Sequence, residues 1–183
     1  MSEKAKNNTI GSDVERPRRT SGGARKAPAK ILTVLHIDDD PNDTELLRAA
    51  TRRAKTQFNL HNVEDGESAM AYLNGAGRYA DRSLYPIPAL ILLDLKMPRV
   101  TGLEILRWIR EHPECGQLPV VVLSGSELHE DIRQAYEKGA NSYLVKPLGF
   151  EALVDLVKNV NAVWLPGQES RRTPLVPRPN RSM

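Results

Sequence analysis

Four polar segments in this chain each follow a short run rich in valine, isoleucine and leucine. They are Asp38-Asp39-Asp40 after Ile31 to Ile37, Asp94 after Ala89 to Leu93, Ser124 after Val120 to Leu123, and Lys146-Pro147 after Tyr143 to Val145. Runs of that composition read as strands buried on both faces of a parallel sheet. In an open α/β sheet the carboxyl ends of the strands form the ligand crevice, so three or four carboxylates, one hydroxyl and one ammonium converge at one edge. Hard oxygen ligands suit Mg2+, which is held by one or two protein carboxylates plus phosphate oxygens. Asp39 and Asp94 fit that role. A carboxylate can also attack phosphorus to form an aspartyl phosphate, provided a metal and a cation neutralise the phosphoryl oxygens. Lys146 is the available ammonium, Ser124 a hydrogen-bond donor, and Gly125 leaves the approach open.

The elements that must position these groups alternate strand and helix five times between residues 31 and 165, which predicts βα units and a parallel sheet. After the first strand, Asp40 offers a cap, Pro41 suits a first helical position, and Leu46, Leu47, Ala50 and Ala54 form a stripe. A second strand spans Phe58 to Val63; Asp65-Gly66 then turns into a helix through Ala69, Met70 and Leu73 that Asn74-Gly75 stops. Residues 75–88, with Tyr79, Tyr85, Pro86 and Pro88, form a connection longer than usual in such folds. Pro98 and Gly102 bracket the turn from the third strand into a helix carrying Leu103, Leu106 and Ile109. The fourth strand leads into a helix with Leu128, Ile132, Ala135 and Tyr136 that ends at Gly139, and the fifth strand is Ser142 to Val145. Leu153, Leu156, Val157, Val160, Val163 and Trp164 give the last helix its apolar stripe.

Charge is unevenly spread. Residues 1–30 carry eight Lys/Arg against three Asp/Glu and residues 166–183 four against one, so the total of +3 leaves residues 31–165 at −5. Both ends lack apolar periodicity and read as disordered basic tails around one domain of residues 31–165. No aromatic residue interleaves the basic runs, which argues against nucleic-acid binding. There is no membrane-length apolar span and no signal-peptide core, so a cytoplasmic protein is expected. Cys115, the single cysteine, reads as an incidental loop thiol. Trp108 and Trp164 read as core or edge packing and His36 as a buried, satisfied imidazole, while His61, His112 and His129 form no cluster.

Ile37-Asp38-Asp39, Leu93-Asp94 with Lys96-Met97-Pro98 and Gly102, Ser124-Gly125, Gly139-Ala140, and Tyr143 with Lys146-Pro147 together resemble the receiver domain of bacterial two-component response regulators, over about 135 residues. The resemblance implies a flavodoxin-like, doubly wound sheet with strand order 2-1-3-4-5. It makes Asp94 the phosphoacceptor and gives Mg2+ to Asp38, Asp39, Asp94 and the Lys96 backbone carbonyl. Ser124, Tyr143 and Lys146 then couple phosphorylation to the surface of helix four, strand five and helix five. Pro147 commonly follows a cis peptide in that family, which would aim Lys146 into the pocket. Pro41-Asn42-Asp43, Glu64-Asp65-Gly66 and the extended connection look like the stand-alone regulators often paired with phytochrome-type histidine kinases. The implied partners are such a kinase and an unidentified protein target, with a homodimer as one form of output.

Three other function classes fit less well. A haloacid-dehalogenase-like phosphatase also uses an aspartyl phosphate but places a second aspartate two residues after the nucleophile, where this chain has Lys96. A nucleotide- or flavin-binding domain of the same topology needs a Gly- or Ser/Thr-rich phosphate loop where Asp38-Asp39-Asp40-Pro41 stands. A DNA-binding regulator needs a further helical domain, which the eighteen residues after Leu165 cannot supply.

Overall fold

A computed structural model describes residues 31–165; the expectations for both basic tails lie outside the described residues. Five strands, β1 (Leu32–Ile37), β2 (Phe58–Val63), β3 (Leu90–Leu93), β4 (Val120–Ser124) and β5 (Ser142–Val145), pair in parallel in the order β2-β1-β3-β4-β5. Five α-helices connect and flank them: α1 (Pro41–Ala54), α2 (Gly66–Asn74), α3 (Gly102–Glu111), α4 (His129–Glu137) and α5 (Phe150–Trp164). The sequence-based elements recur with ends shifted by a residue or two, because continuous apolar runs and cap residues specify them locally. Asp40 caps α1 with Pro41 behind it, Asp65 caps α2, Gly75 ends α2 in the left-handed region (φ 65°), and Thr101 with Glu104 forms a capping box on α3.

Strand alternation sorts the core into two layers. Leu35, Ile37, Ile91, Leu93, Val120 and Val122 face the layer of α2, α3 and α4. Val34, Leu90, Leu92, Val121 and Leu123 face the layer of α1 and α5, where Val154, Val157 and Val160 cover them. Helix α4 is the least anchored, with Ala135 as its buried residue and no side-chain cap.

The long connection is packed rather than loose. Tyr72, Tyr79, Tyr85 and His61 meet edge-on or tilted, with ring centroids 5.1–6.1 Å apart. The Arg82 guanidinium donates to the carbonyls of Tyr72, Leu73 and Tyr85, closing the carboxyl end of α2. Cys115 lies in the connection between α3 and β4, as expected of a loop thiol, and that connection folds inward, so the thiol is buried in the core. Trp108 and Trp164 pack half-buried against the two core layers.

Candidate functional site

Ladder bonds that run past the strand ends fix the backbone of the site. The amide of Asp38 donates to Val63 of β2 (3.1 Å), that of Asp94 to Ile37 of β1 (2.9 Å), and that of Lys146 to Ser124 of β4 (2.9 Å). Asp38, Asp94 and Lys146 thus emerge at one edge of the sheet, and oxygen atoms of Asp38, Asp39 and Asp94 lie within 4.8 Å of one another. Asp38 and Asp94 are buried and Asp39 is half-buried.

The Lys146 ammonium sits among these carboxylates, 2.8 Å from Asp38 Oδ2, 3.3 Å from Asp94 Oδ2 and 2.7 Å from Asp43 Oδ2. Burial disfavours its charge, but the bonds to Asp38 and Asp43 and the charges of Asp38 and Asp94 outweigh that and push its pKa above the ordinary lysine value. Burial likewise pushes the Asp38 carboxyl up, while His36, Lys146 and the Asp40 amide pull it down to a net value of about 2. The pair therefore stays ionised at neutral pH. Asp94 Oδ1 is buried and makes no hydrogen bond. A hard-oxygen cluster with a buried, unpartnered carboxylate oxygen fits a divalent cation bound together with a phosphoryl group.

Other residues depart from the sequence reading. Asp40 leaves the cluster because its side chain accepts from the Asn42 amide (2.8 Å) as the α1 cap. Asp43, in the first turn of α1, takes its place beside Lys146; the sequence marks it only as part of the Pro41-Asn42-Asp43 helix start, where an acid is an ordinary feature with no sign of the Lys146 contact. Lys146–Pro147 is trans, as is every peptide bond among the described residues, and not the cis bond the resemblance suggested; the hydrogen bond from the Lys146 amide to the Ser124 carbonyl directs Lys146 over the strand edge without it. His36 is buried as expected but not satisfied. Its Nε2 lies 3.2 Å from Asp38 Oδ2 but makes no hydrogen bond to it.

Ser124 and Tyr143 lie toward the α3 and α4 layer. Ser124 Oγ is buried without a hydrogen-bond partner, and the Tyr143 hydroxyl donates to the Ser126 carbonyl (2.8 Å). The exposed Lys96 ammonium pairs with Asp131 of α4 (2.9 Å), which also accepts from the Ser126 hydroxyl. Gly102 supports the site from beneath, where a Cβ would stand 2.1 Å from the Asp94 carbonyl oxygen. Beside Gly125 a Cβ would meet nothing within 4 Å, so that approach is open.

Residues 34–158 match the response regulator receiver domain. The chain belongs to this family. The receiver domain is 33% identical over 138 residues to the response regulator Rcp1 of Synechocystis, covering 75% of this chain and 90% of Rcp1. Among solved structures it resembles the phosphorylated cyanobacterial phytochrome response regulator RcpA, at 34% identity and a TM-score of 0.69, covering 75% of this chain and 96% of that one. The Mn(2+)-bound form of Rcp1 aligns at 30% identity and a TM-score of 0.64, covering 81% and 99%. As a receiver domain it is a two-component signalling module, and among the described residues no helix is long and apolar enough to cross a membrane.

Proposed function

We propose that the chain is a response regulator that takes a phosphoryl group from a histidine kinase onto Asp94 and signals through phosphorylation-dependent protein contacts. One observation carries this reading: Asp94 holds one oxygen against the Lys146 ammonium and keeps the other buried and unpartnered inside a cluster of carboxylates. In the transfer, an Asp94 oxygen forms an O–P bond as the N–P bond of a phosphohistidine breaks and its electron pair returns to the imidazole. Lys146, 3.3 Å from Asp94 Oδ2, would pair with the phosphoryl oxygens, and Ser124 Oγ, with no competing partner, would donate to one of them. Asp38, Asp39 and Asp94, with the Lys96 backbone carbonyl that the family resemblance adds, would hold Mg2+, which would supply charge neutralisation for the phosphoryl oxygens. The chain's own chemistry ends with this transfer and a slow hydrolysis. Lys96, where a phosphatase of the aspartyl-phosphate type needs a second acid, argues for signalling over turnover.

The likeness to RcpA, a cyanobacterial phytochrome response regulator, favours a phytochrome-type kinase as donor. For output, drawing Ser124 toward the phosphoryl group vacates space that Tyr143 can fill once it gives up the Ser126 carbonyl. The adjoining surface is exposed and apolar at Leu128, Leu148 and Phe150, which suits a protein partner or a second copy of the chain.

Intact-mass measurement with Mg2+ and a small phosphodonor tests the assignment. Wild type gains one phosphoryl group and Asp94→Asn gains none; equal incorporation by the variant would place the acceptor elsewhere.

A further inference from the structure

Lys146 faces a conflict. Two of the oxygens it contacts, on Asp38 and Asp94, belong to carboxylates of the cation cluster. A divalent cation and an ammonium therefore compete for the same side chains. An ammonium has three N–H donors, and each here meets a different carboxylate. If Asp38 and Asp94 turn toward a metal, Lys146 is left half-buried beside a dication. A buried charge without a partner is costly, so the ammonium would otherwise hold its carboxylates and oppose the metal.

Asp43 resolves this. Its Oδ2 makes the shortest of the three contacts, 2.7 Å, and it stands outside the converging oxygens of Asp38, Asp39 and Asp94. Asp43 comes from the first turn of α1, one turn after the Asp38-Asp39 pair, so it reaches Lys146 from the rim of the pocket. We infer that Asp43 is a positioning residue for Lys146, holding the ammonium beside the pocket when Asp38 and Asp94 engage a divalent cation. One chain can then bind metal and keep a positive charge within reach of Asp94. The inference rests on Asp38, Asp39 and Asp94 being the metal site.

A plain helix-end role for Asp43, or a plain contribution of negative charge, would not depend on Lys146. Calorimetric titration of the full chain with Mg2+ separates these possibilities, using wild type, Asp43→Asn, Asp43→Glu, Lys146→Met, Asp43→Asn/Lys146→Met and Asp39→Asn. Asp43→Asn should weaken Mg2+ about fivefold, as expected for a coupled pair of contacting charges. Lys146→Met should tighten it, and in that background Asp43→Asn should change it by less than about twofold. Asp43→Glu, which keeps a carboxylate within reach, should recover most of the affinity. Equal losses from Asp43→Asn in both backgrounds, or no loss in either, would overturn the positioning role. Asp39→Asn reports on the underlying site separately: if it binds Mg2+ as wild type does, the metal lies elsewhere and the inference falls with that reading.

Discussion

At the scale of single residues, the site holds more negative charge than the fold alone would favour. Oxygens of three carboxylates lie within 4.8 Å of one another, and Lys146 is the ammonium among them. Relieving that repulsion should stabilise the protein when Mg2+ is withheld. Asp39→Asn is expected to raise unfolding free energy by about 1 kcal/mol at low salt, the scale of a like-charge pair near a protein surface. Saturating Mg2+ should reverse the order, because wild type gains more from the metal; thermal melts with and without Mg2+ check both signs. Gly102 is the opposite case, where geometry and not charge is limiting. Gly102→Ala would drive a methyl group into the Asp94 carbonyl. It should cost about 2 kcal/mol, as overpacking against rigid backbone does, and should cut phosphoryl incorporation at Asp94. The aspartates, Ser124 and Lys146 were legible in the sequence because each closes an apolar run. Asp43 was not, since what makes it notable is a lysine more than a hundred residues away. The burial of Cys115 was hidden for a similar reason: a connection outside any strand or helix carries no periodicity to reveal that it turns inward.

At the scale of elements, the strands were legible because burial on both faces leaves an unbroken Val/Ile/Leu signature, and the helices because their caps are local. The packing of residues 75–88 was not, since it depends on side chains that meet only after folding. The Tyr72 hydroxyl donates to the Pro86 carbonyl (3.1 Å) and lies 3.0 Å from His61 Nδ1, which satisfies both contacts when the imidazole proton is on Nδ1. Burial, and then the charge of Arg48, lowers the His61 pKa below its ordinary 6.5. The sign follows by linkage: the folded state resists protonation, so this contribution is complete above pH 6.5 and is lost as pH falls below it. Urea midpoints measured from neutral pH downward should therefore decline, and His61→Asn, which can still donate from a similar position but does not titrate, should flatten the decline. An equal slope in the variant would assign the acid sensitivity to other groups. Arg110 plays a comparable part on α3. Its half-buried guanidinium donates to the carbonyls of Gly139, Gly116 and Leu118 and to Asn141 Oδ1, joining the α3–β4 and α4–β5 connections at the amino-terminal side of β4 and β5.

At the scale of the whole molecule, the proposed phosphoryl site and the proposed output surface fall on different layers of one sheet. Asp38, Asp94 and Lys146 lie toward α1 and α5, whereas Ser124 and Tyr143 lie toward α3 and α4. A chain trimmed to residues 31–165, with a net charge of −5, should fold and accept phosphate at the full-length rate, since every residue assigned to the pocket lies between Asp38 and Lys146. A large loss of rate would show that one of the basic ends reaches the active edge. Beryllofluoride with Mg2+ should shift self-association or alter amide exchange across residues 126–164, and Tyr143→Ala should blunt the change. Sedimentation and exchange profiles that are identical with and without the mimic would move the output surface elsewhere. The burial of Cys115 makes that surface easy to instrument. The thiol is 3% exposed, and burial followed by the charge of Glu114 pushes its pKa up, so it is a poor target for alkylating dyes. A second cysteine introduced at exposed Leu128, where α4 begins, would be the sole labelling position without any native thiol having to be removed. An environment-sensitive fluorophore there would follow the helix in real time as Asp94, the proposed acceptor, gains and loses its phosphoryl group.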